Sequence, residues 1–221
     1  MTVLRPRALV LDFDGVILES VDLKTKAMRR LFADHPAHLD AIARYHTDNA
    51  GMSRYDKFRH FYETLFREPL PDEEMNRLDR AFGALVAGEI DVCPFVAGAP
   101  AFLEARAAEL PLFIASGTPQ PELRDIVARR GLAPLFAGVY GSPASKAHHL
   151  RAIAAQLQTP PATLLFVGDG RQDFDAAAEV GSRFIGRVPP GEGGVFPRGT
   201  ETVADLDELA VRWESLRATS A

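Results

Sequence analysis

Apolar and polar positions follow two regimes along the chain. Short, continuous apolar runs occupy residues 8–13, 110–115, 163–167 and 183–185, each bounded by Gly, Pro or Asp. Continuous apolarity, rather than alternation, predicts strands covered on both faces, as in a parallel sheet. Residues 138–141 form a weaker fifth run. Helical stretches at 121–130, 146–158 and 172–180 separate the later runs. The first stops at Gly131, the second before Pro160 and Pro161, the third at Gly181. Those are helix stop signals. Strands alternating with helices predict an α/β fold with a parallel sheet and right-handed crossovers.

Residues 17–94 break that rhythm. They contain no comparable strand-like run, and segments 21–32, 38–47, 54–66 and 72–88 read as amphipathic helices. The stretch begins directly after the first strand, and the alternation resumes after Pro94. The expected organisation is an α/β core of residues 1–16 and 95–221, carrying a helical insert at 17–94. Linkers are expected near 16–20 and 92–100, and the Pro- and Gly-rich segment 188–199 reads as an exposed loop. No internal repeat is evident.

Composition narrows the function. A hydrophobic fraction of 47% over 221 residues allows a sizeable core. Net charge is −5, with no basic block, so nucleic acid is not the expected partner. No run approaches the ~20 apolar residues of a membrane span. Arg5 and Arg7 interrupt any apolar leader. Cys93, the single cysteine, has no internal partner and reads as a small buried residue, which suits a reducing cytoplasm. Cytoplasmic location is therefore expected. The six histidines show no metal-ligand spacing, and His148 and His149 read as helix-surface residues.

Candidate chemistry lies in four clusters, each after a separate apolar strand. The first is Asp12-Phe13-Asp14-Gly15. Asp-x-Asp alone is weak, since it recurs at Asp173/Asp175 and Asp205/Asp207; position distinguishes the first pair. Carboxylates at the C-terminal end of a parallel strand sit where α/β sheets bind ligands. Adjacent carboxylates repel and require a cation or a shared proton. The second cluster, Gly168-Asp169 through Asp173, supplies further oxygens, and few carboxylates plus water and phosphate suit Mg²⁺. Asp173 equally fits a helix N-terminal acid. Ser116-Gly117-Thr118 could cradle phosphate at a helix start, or form an ordinary turn. Lys146 opposes the dipole of the helix it begins, which a phosphate or nucleophile partner would explain.

Taken together in this order, Asp12-Phe13-Asp14-Gly15-Val16-Ile17, Ser116-Gly117-Thr118, Lys146 and Gly168-Asp169…Asp173 resemble the haloacid dehalogenase superfamily over nearly the whole chain. The resemblance implies a Rossmann-like core with helices on both faces and a mobile helical cap. It implies Asp12 as nucleophile and Mg²⁺ ligand, and Asp14 as general acid/base and metal ligand through its carbonyl. Ser116, with Gly117 and Thr118, would bind phosphate, and Lys146 would link phosphate to Asp12. Asp169 would ligate Mg²⁺, with Asp173 a ligand or its supporting partner. The expected activity is a Mg²⁺-dependent phosphatase acting on a small-molecule phosphate ester, with neither nucleic acid nor membrane as partner.

Asp14 disfavours the dehalogenase and phosphonate-cleaving branches. Asp-Gly-Val-Ile at 14–17 and Gly-Met-Ser-Arg at 51–54 are similar to β-phosphoglucomutase segments, so a phosphosugar mutase is one alternative. The Gly168-Asp169…Asp173 spacing is similar to the phosphatase pattern instead. A catalytically silent binding protein on the same fold is the alternative of another class. In the cap, Met52, Ser53, Arg54 and Lys57 are candidate substrate readers, with Arg54 the leading one for a carboxylate, a second phosphate or sugar hydroxyls. Alternatively Arg54 and Lys57 form one solvated helix turn.

Overall fold

A computed structural model describes residues 6–218, with side chains through Trp213. Six parallel strands form one sheet in the order β3-β2-β1-β4-β5-β6. They are β1 (Ala8–Leu11), β2 (Leu112–Pro119), β3 (Gly138–Ser142), β4 (Leu164–Gly168), β5 (Arg183–Arg187) and β6 (Thr202–Val203). β1 is central, with Leu11 in register with Ile114 on one side and Val167 on the other. Its four residues are fully buried, as the continuous apolar run requires.

Successive side chains leave a strand on opposite faces, and two cores result. Leu9, Leu11, Ile114, Leu165 and Val167 pack with α5 (Ala99–Ala107), α6 (Gln120–Arg129) and α9 (Leu206–Ala218). Val10, Phe113, Ala115 and Phe166 pack with α7 (Lys146–Gln156) and α8 (Arg171–Val180). This is a doubly wound, Rossmann-like α/β architecture. No helix among the described residues is long and apolar enough to cross a membrane.

Between β1 and α5 the chain forms α1 (Val21–Leu31), α2 (Leu39–Asp48), α3 (Arg54–His60) and α4 (Asp72–Ile90). The run expected as one helix over 54–66 changes pitch: Phe61–Phe66 winds as a π-helix. The widened turn ends at Arg67, which takes φ 56. Phe58 and Phe61 pack edge-on against Phe32, with ring centroids 5.9 and 5.4 Å apart. Phe58 is fully buried. Phe58→Ala should therefore cost about 3–5 kcal/mol, read as a fall in the urea midpoint.

The two connections to this helical stretch are not loose linkers. Val16, Ile17 and Leu18 are fully buried. They run beside the returning chain: Glu19 N–H donates to the Pro94 carbonyl (2.9 Å) and Val96 N–H to the Ile17 carbonyl (3.0 Å). The return segment then enters α5, a helix that residues 92–100 alone do not suggest. Residues 188–199 lack regular structure, as expected.

Candidate active site

The C-terminal ends of β1, β2 and β4 and the start of α7 meet at one edge of the sheet. Asp12 follows β1, its backbone N–H bonded to the Val167 carbonyl (2.9 Å). One carboxylate oxygen accepts from Phe13 N–H (2.6 Å), the other from Lys146 Nζ (2.6 Å). Lys146 opens α7 directly after Ser145, whose hydroxyl caps the helix by accepting from His148 N–H. Its ammonium also pairs with Asp173. Asp173 takes the helix N-terminal position expected of it. Within the first turn of α8 it accepts from Gly170 N–H (3.0 Å), capping the helix, and it faces Lys146.

Asp169 completes a cluster in which oxygens of Asp12, Asp169 and Asp173 lie within 4.8 Å of one another. Its Oδ1 is buried with no hydrogen-bond partner. Three carboxylates against one ammonium leave two uncompensated charges when all are ionised. Burial raises the Asp12 carboxyl, against the pull of Lys146. Burial, then Asp12 and Asp173, push Asp169 well above its ordinary range. Burial lifts Asp173 to about 7 despite Lys146. An orphaned buried carboxylate oxygen and an excess of two negative charges fit a hard divalent cation.

A carboxyl raised in the folded state contributes stability below its unfolded value and loses it as pH climbs through the folded one. Asp173 therefore weakens the metal-free protein as pH rises from about 4 to 7. In EDTA, the Tm advantage of Asp173→Asn over wild type should widen across that interval. An unchanging difference would contradict the assignment.

Asp14 points the other way. Ser20 Oγ (2.5 Å), Lys24 Nζ (2.5 Å) and Thr118 Oγ1 (2.9 Å) all donate to its carboxylate. Burial alone would raise it, but the Lys24 charge and these hydrogen bonds outweigh burial and hold it below its usual range. Lys24 also donates to Thr118 Oγ1 (2.8 Å), so α1 is tied to β2 across Asp14.

Ser116, Gly117 and Thr118 lie inside β2, which runs on to Pro119, rather than after it. Ser116 Oγ accepts from Thr118 N–H (3.1 Å) and is buried beside the cluster. The loop between α2 and α3 closes directly over these residues. Gly51, at φ +82, sits so close that a Cβ there would lie 2.7 Å from Lys146 Nζ. A Cβ on Gly117 would meet the Gly51 carbonyl at 2.6 Å. Gly117→Ala should hold that loop away and lower kcat/KM by about 10²-fold while the fold survives, checked by kinetics beside thermal melting.

Arg54 and Lys57 are 6% and 4% exposed, so the solvated-turn alternative does not hold. Arg54 lines the cavity beside the cluster, but its charge is already engaged. It pairs with Glu122 of α6, lies 3.4 Å from the Asp79 carboxylate, and stacks over Phe82 with its guanidinium carbon 4.9 Å from the ring centroid. Lys57 touches only His46 among described partners. His149, expected on a helix surface, is buried, its Nε2 3.1 Å from the Gly141 carbonyl, whereas His148 is exposed.

Sequence reasoning passed over Lys24 and His46. Lys24 carries no local signal, because its partners Asp14 and Thr118 are 10 and 94 residues away. His46 stands one turn after Ile42 on the buried face of α2; that i, i+4 spacing was its visible signal.

Comparison with known proteins agrees with this architecture. The profile of the haloacid dehalogenase-like hydrolases matches residues 6–181. No curated protein matches the chain. Among solved structures, a predicted phosphatase from Clostridium acetobutylicum superposes with TM-score 0.75 at 16% identity, covering 96% of this chain and 100% of that one. The β-phosphoglucomutase of Clostridium difficile gives 0.74 at 14% identity, covering 96% and 97%. A mutant of CbbY from Rhodobacter sphaeroides, solved with xylulose-1,5-bisphosphate, gives 0.70 at 17% identity, covering 92% and 96%. At these identities the superpositions establish the shared fold. The profile match over most of the chain establishes more: this protein belongs to the haloacid dehalogenase-like hydrolase family.

Proposed function

We propose that the protein is a Mg²⁺-dependent phosphatase that hydrolyses a small-molecule phosphate monoester in the cytoplasm through a phosphoryl group carried on Asp12. The observation that carries this reading is the cluster of Asp12, Asp169 and Asp173 around Lys146, with its excess negative charge and the orphaned Asp169 oxygen. Asp12, Asp169, Asp173 and the Asp14 carbonyl would hold the metal. Bound there, Mg²⁺ supplies positive charge beside the nucleophile and the phosphoryl oxygens, where a dianionic substrate otherwise repels a carboxylate.

Asp12 attacks phosphorus, and the ester P–O bond breaks as the Asp12 O–P bond forms. Lys146 holds the Asp12 carboxylate in position and offsets charge on the transferring group. Ser116 and the backbone N–H groups near Gly117 bind the phosphoryl oxygens. Asp14 gives a proton to the departing alcohol, then takes one from the water that attacks the phosphoaspartate. Lys24 favours the ionised form of Asp14, which suits the second half; proton donation in the first half requires that contact to loosen. Lys24 and Ser20 belong to the helical insert and its linker, so residues 17–94 acting as a moving cap would couple opening to the state of Asp14.

The mutase alternative draws on the run 51–54. Arg54, the cation it would use for a second phosphate, is taken up by Glu122 and Asp79, which favours the phosphatase. Incubation with a panel of phosphate esters tests this: inorganic phosphate should be released with Mg²⁺ and not in EDTA. Isomerised ester without phosphate release would favour the mutase. Asp14→Asn should slow turnover of alkyl phosphates about 10²–10⁴-fold and p-nitrophenyl phosphate less, because nitrophenolate leaves unprotonated. Equal losses on both would remove Asp14 as the acid.

A further inference from the structure

Among the described residues, one cationic side chain in the cavity beside the carboxylate cluster has no acidic partner within ion-pair distance. It encloses about 50 Å³ and reaches from Asp14 and Asp169 at the sheet edge to His46, Arg54 and Lys57 in the helical insert. The other cations on or next to it are committed. Lys146 pairs with Asp12 and Asp173, Lys24 with Asp14, Arg54 with Glu122 and Asp79. Among the described residues Lys57 Nζ has hydrogen-bond partners only in His46, donating to its carbonyl (3.1 Å) and lying 3.3 Å from Nδ1. No carboxylate of the described residues comes within 4 Å of it. Burying an ammonium without a counter-ion is unfavourable, and Lys57 is 4% exposed.

We propose that Lys57 is the centre of an anion subsite, and that the substrate is a phosphate monoester bearing a second acidic group, carboxylate or phosphate, on a short tail. The inference rests on the phosphatase reading for the phosphoryl end. Lys57 lines one continuous cavity with Asp14, Thr118 and Asp169, so a single ligand can reach from the sheet edge to Lys57. The small volume of the cavity favours a tail of a few atoms. The environment of Lys57 agrees. Burial, then the nearby Lys24 charge, depress its ammonium to about 7 against the longer-range pull of Asp14 and Asp169, and an entering anion would raise it. His46 is kept neutral by burial and by Lys57. With its Nδ1 turned to an ammonium, the proton of the neutral ring belongs on Nε2.

Inert phosphonates separate this subsite from turnover. Calorimetric titration with Mg²⁺ present would compare 3-phosphonopropionate, ethane-1,2-diylbisphosphonate and propylphosphonate, which share one phosphonate end and differ in the tail. Wild type should bind at least one acidic-tailed ligand ten or more times tighter than propylphosphonate, about the strength of one charged hydrogen bond. Whichever binds tighter identifies carboxylate or phosphate as the tail. Lys57→Met should erase that advantage and Lys57→Arg should keep most of it. Equal binding of all three ligands by wild type would overturn the subsite, with no variant needed. So would an advantage that survives in Lys57→Met. Hydrolysis of p-nitrophenyl phosphate, which has no acidic tail, is scored separately and judges the phosphatase reading alone.

Discussion

Asp12→Asn is expected to abolish phosphoryl transfer, lowering kcat by on the order of 10⁴-fold or more, the scale seen when a covalent nucleophile is removed. The loss should be the same for good and poor leaving groups, which separates it from Asp14→Asn. The variant should not be a folding casualty. Asp12 is buried among Asp14, Asp169 and Asp173 with Lys146 as its cation, so an uncharged amide relieves repulsion in the metal-free protein. Far-UV circular dichroism should be unchanged, and the Tm in EDTA should match or exceed that of wild type. A clear drop in Tm would mean that the Lys146 pair outweighs the repulsion in the cluster.

Lys146→Met carries the second large effect, and here stability and activity should fall together. Among the described residues, the ammonium is the one cation paired within the Asp12, Asp169 and Asp173 cluster. Removing it leaves buried carboxylates unpaired, a change that costs about 3–5 kcal/mol in comparable buried pairs. Adding Mg²⁺ should recover part of that loss, because metal and lysine share the same carboxylates; chemical denaturation with and without metal would show it. Activity should still fall by about 10²–10³-fold with saturating metal, since charge stabilisation of the transferring group is lost. Lys146→Arg should regain stability better than activity, because a planar guanidinium does not place its charge where a compact ammonium does.

The sheet was legible because buried parallel strands leave a plain trace. Runs such as 8–13 and 163–167 carry no alternation, and Gly or Pro follows the helices between them. The same traces put Asp12, Ser116, Lys146 and Asp169 at one edge of the sheet. Features set by tertiary contact left no such trace. α5 stayed hidden behind Pro94 and Pro100, and the two-residue β6 exists only by pairing with β5. The π-helix at Phe61–Phe66 lies where Phe32, Phe58 and Phe61 pack against one another, a tertiary contact with no local sequence signal. The committed state of Arg54 depends on Glu122, 68 residues away, and the solitary state of Lys57 on the absence of any such partner among the described residues. A motif can nominate a cation, but only the fold shows which carboxylate has claimed it.

The central claim is that phosphate passes through Asp12. Enzyme quenched in acid during turnover of p-nitrophenyl phosphate with Mg²⁺, then reduced with borohydride, converts an aspartyl-phosphate to homoserine at the residue that carried it. Peptide mass mapping should find homoserine at position 12, and none in EDTA or in Asp12→Asn. Homoserine at Asp14, Asp169 or Asp173, or steady phosphate release with no trapped residue at 12, would contradict the account.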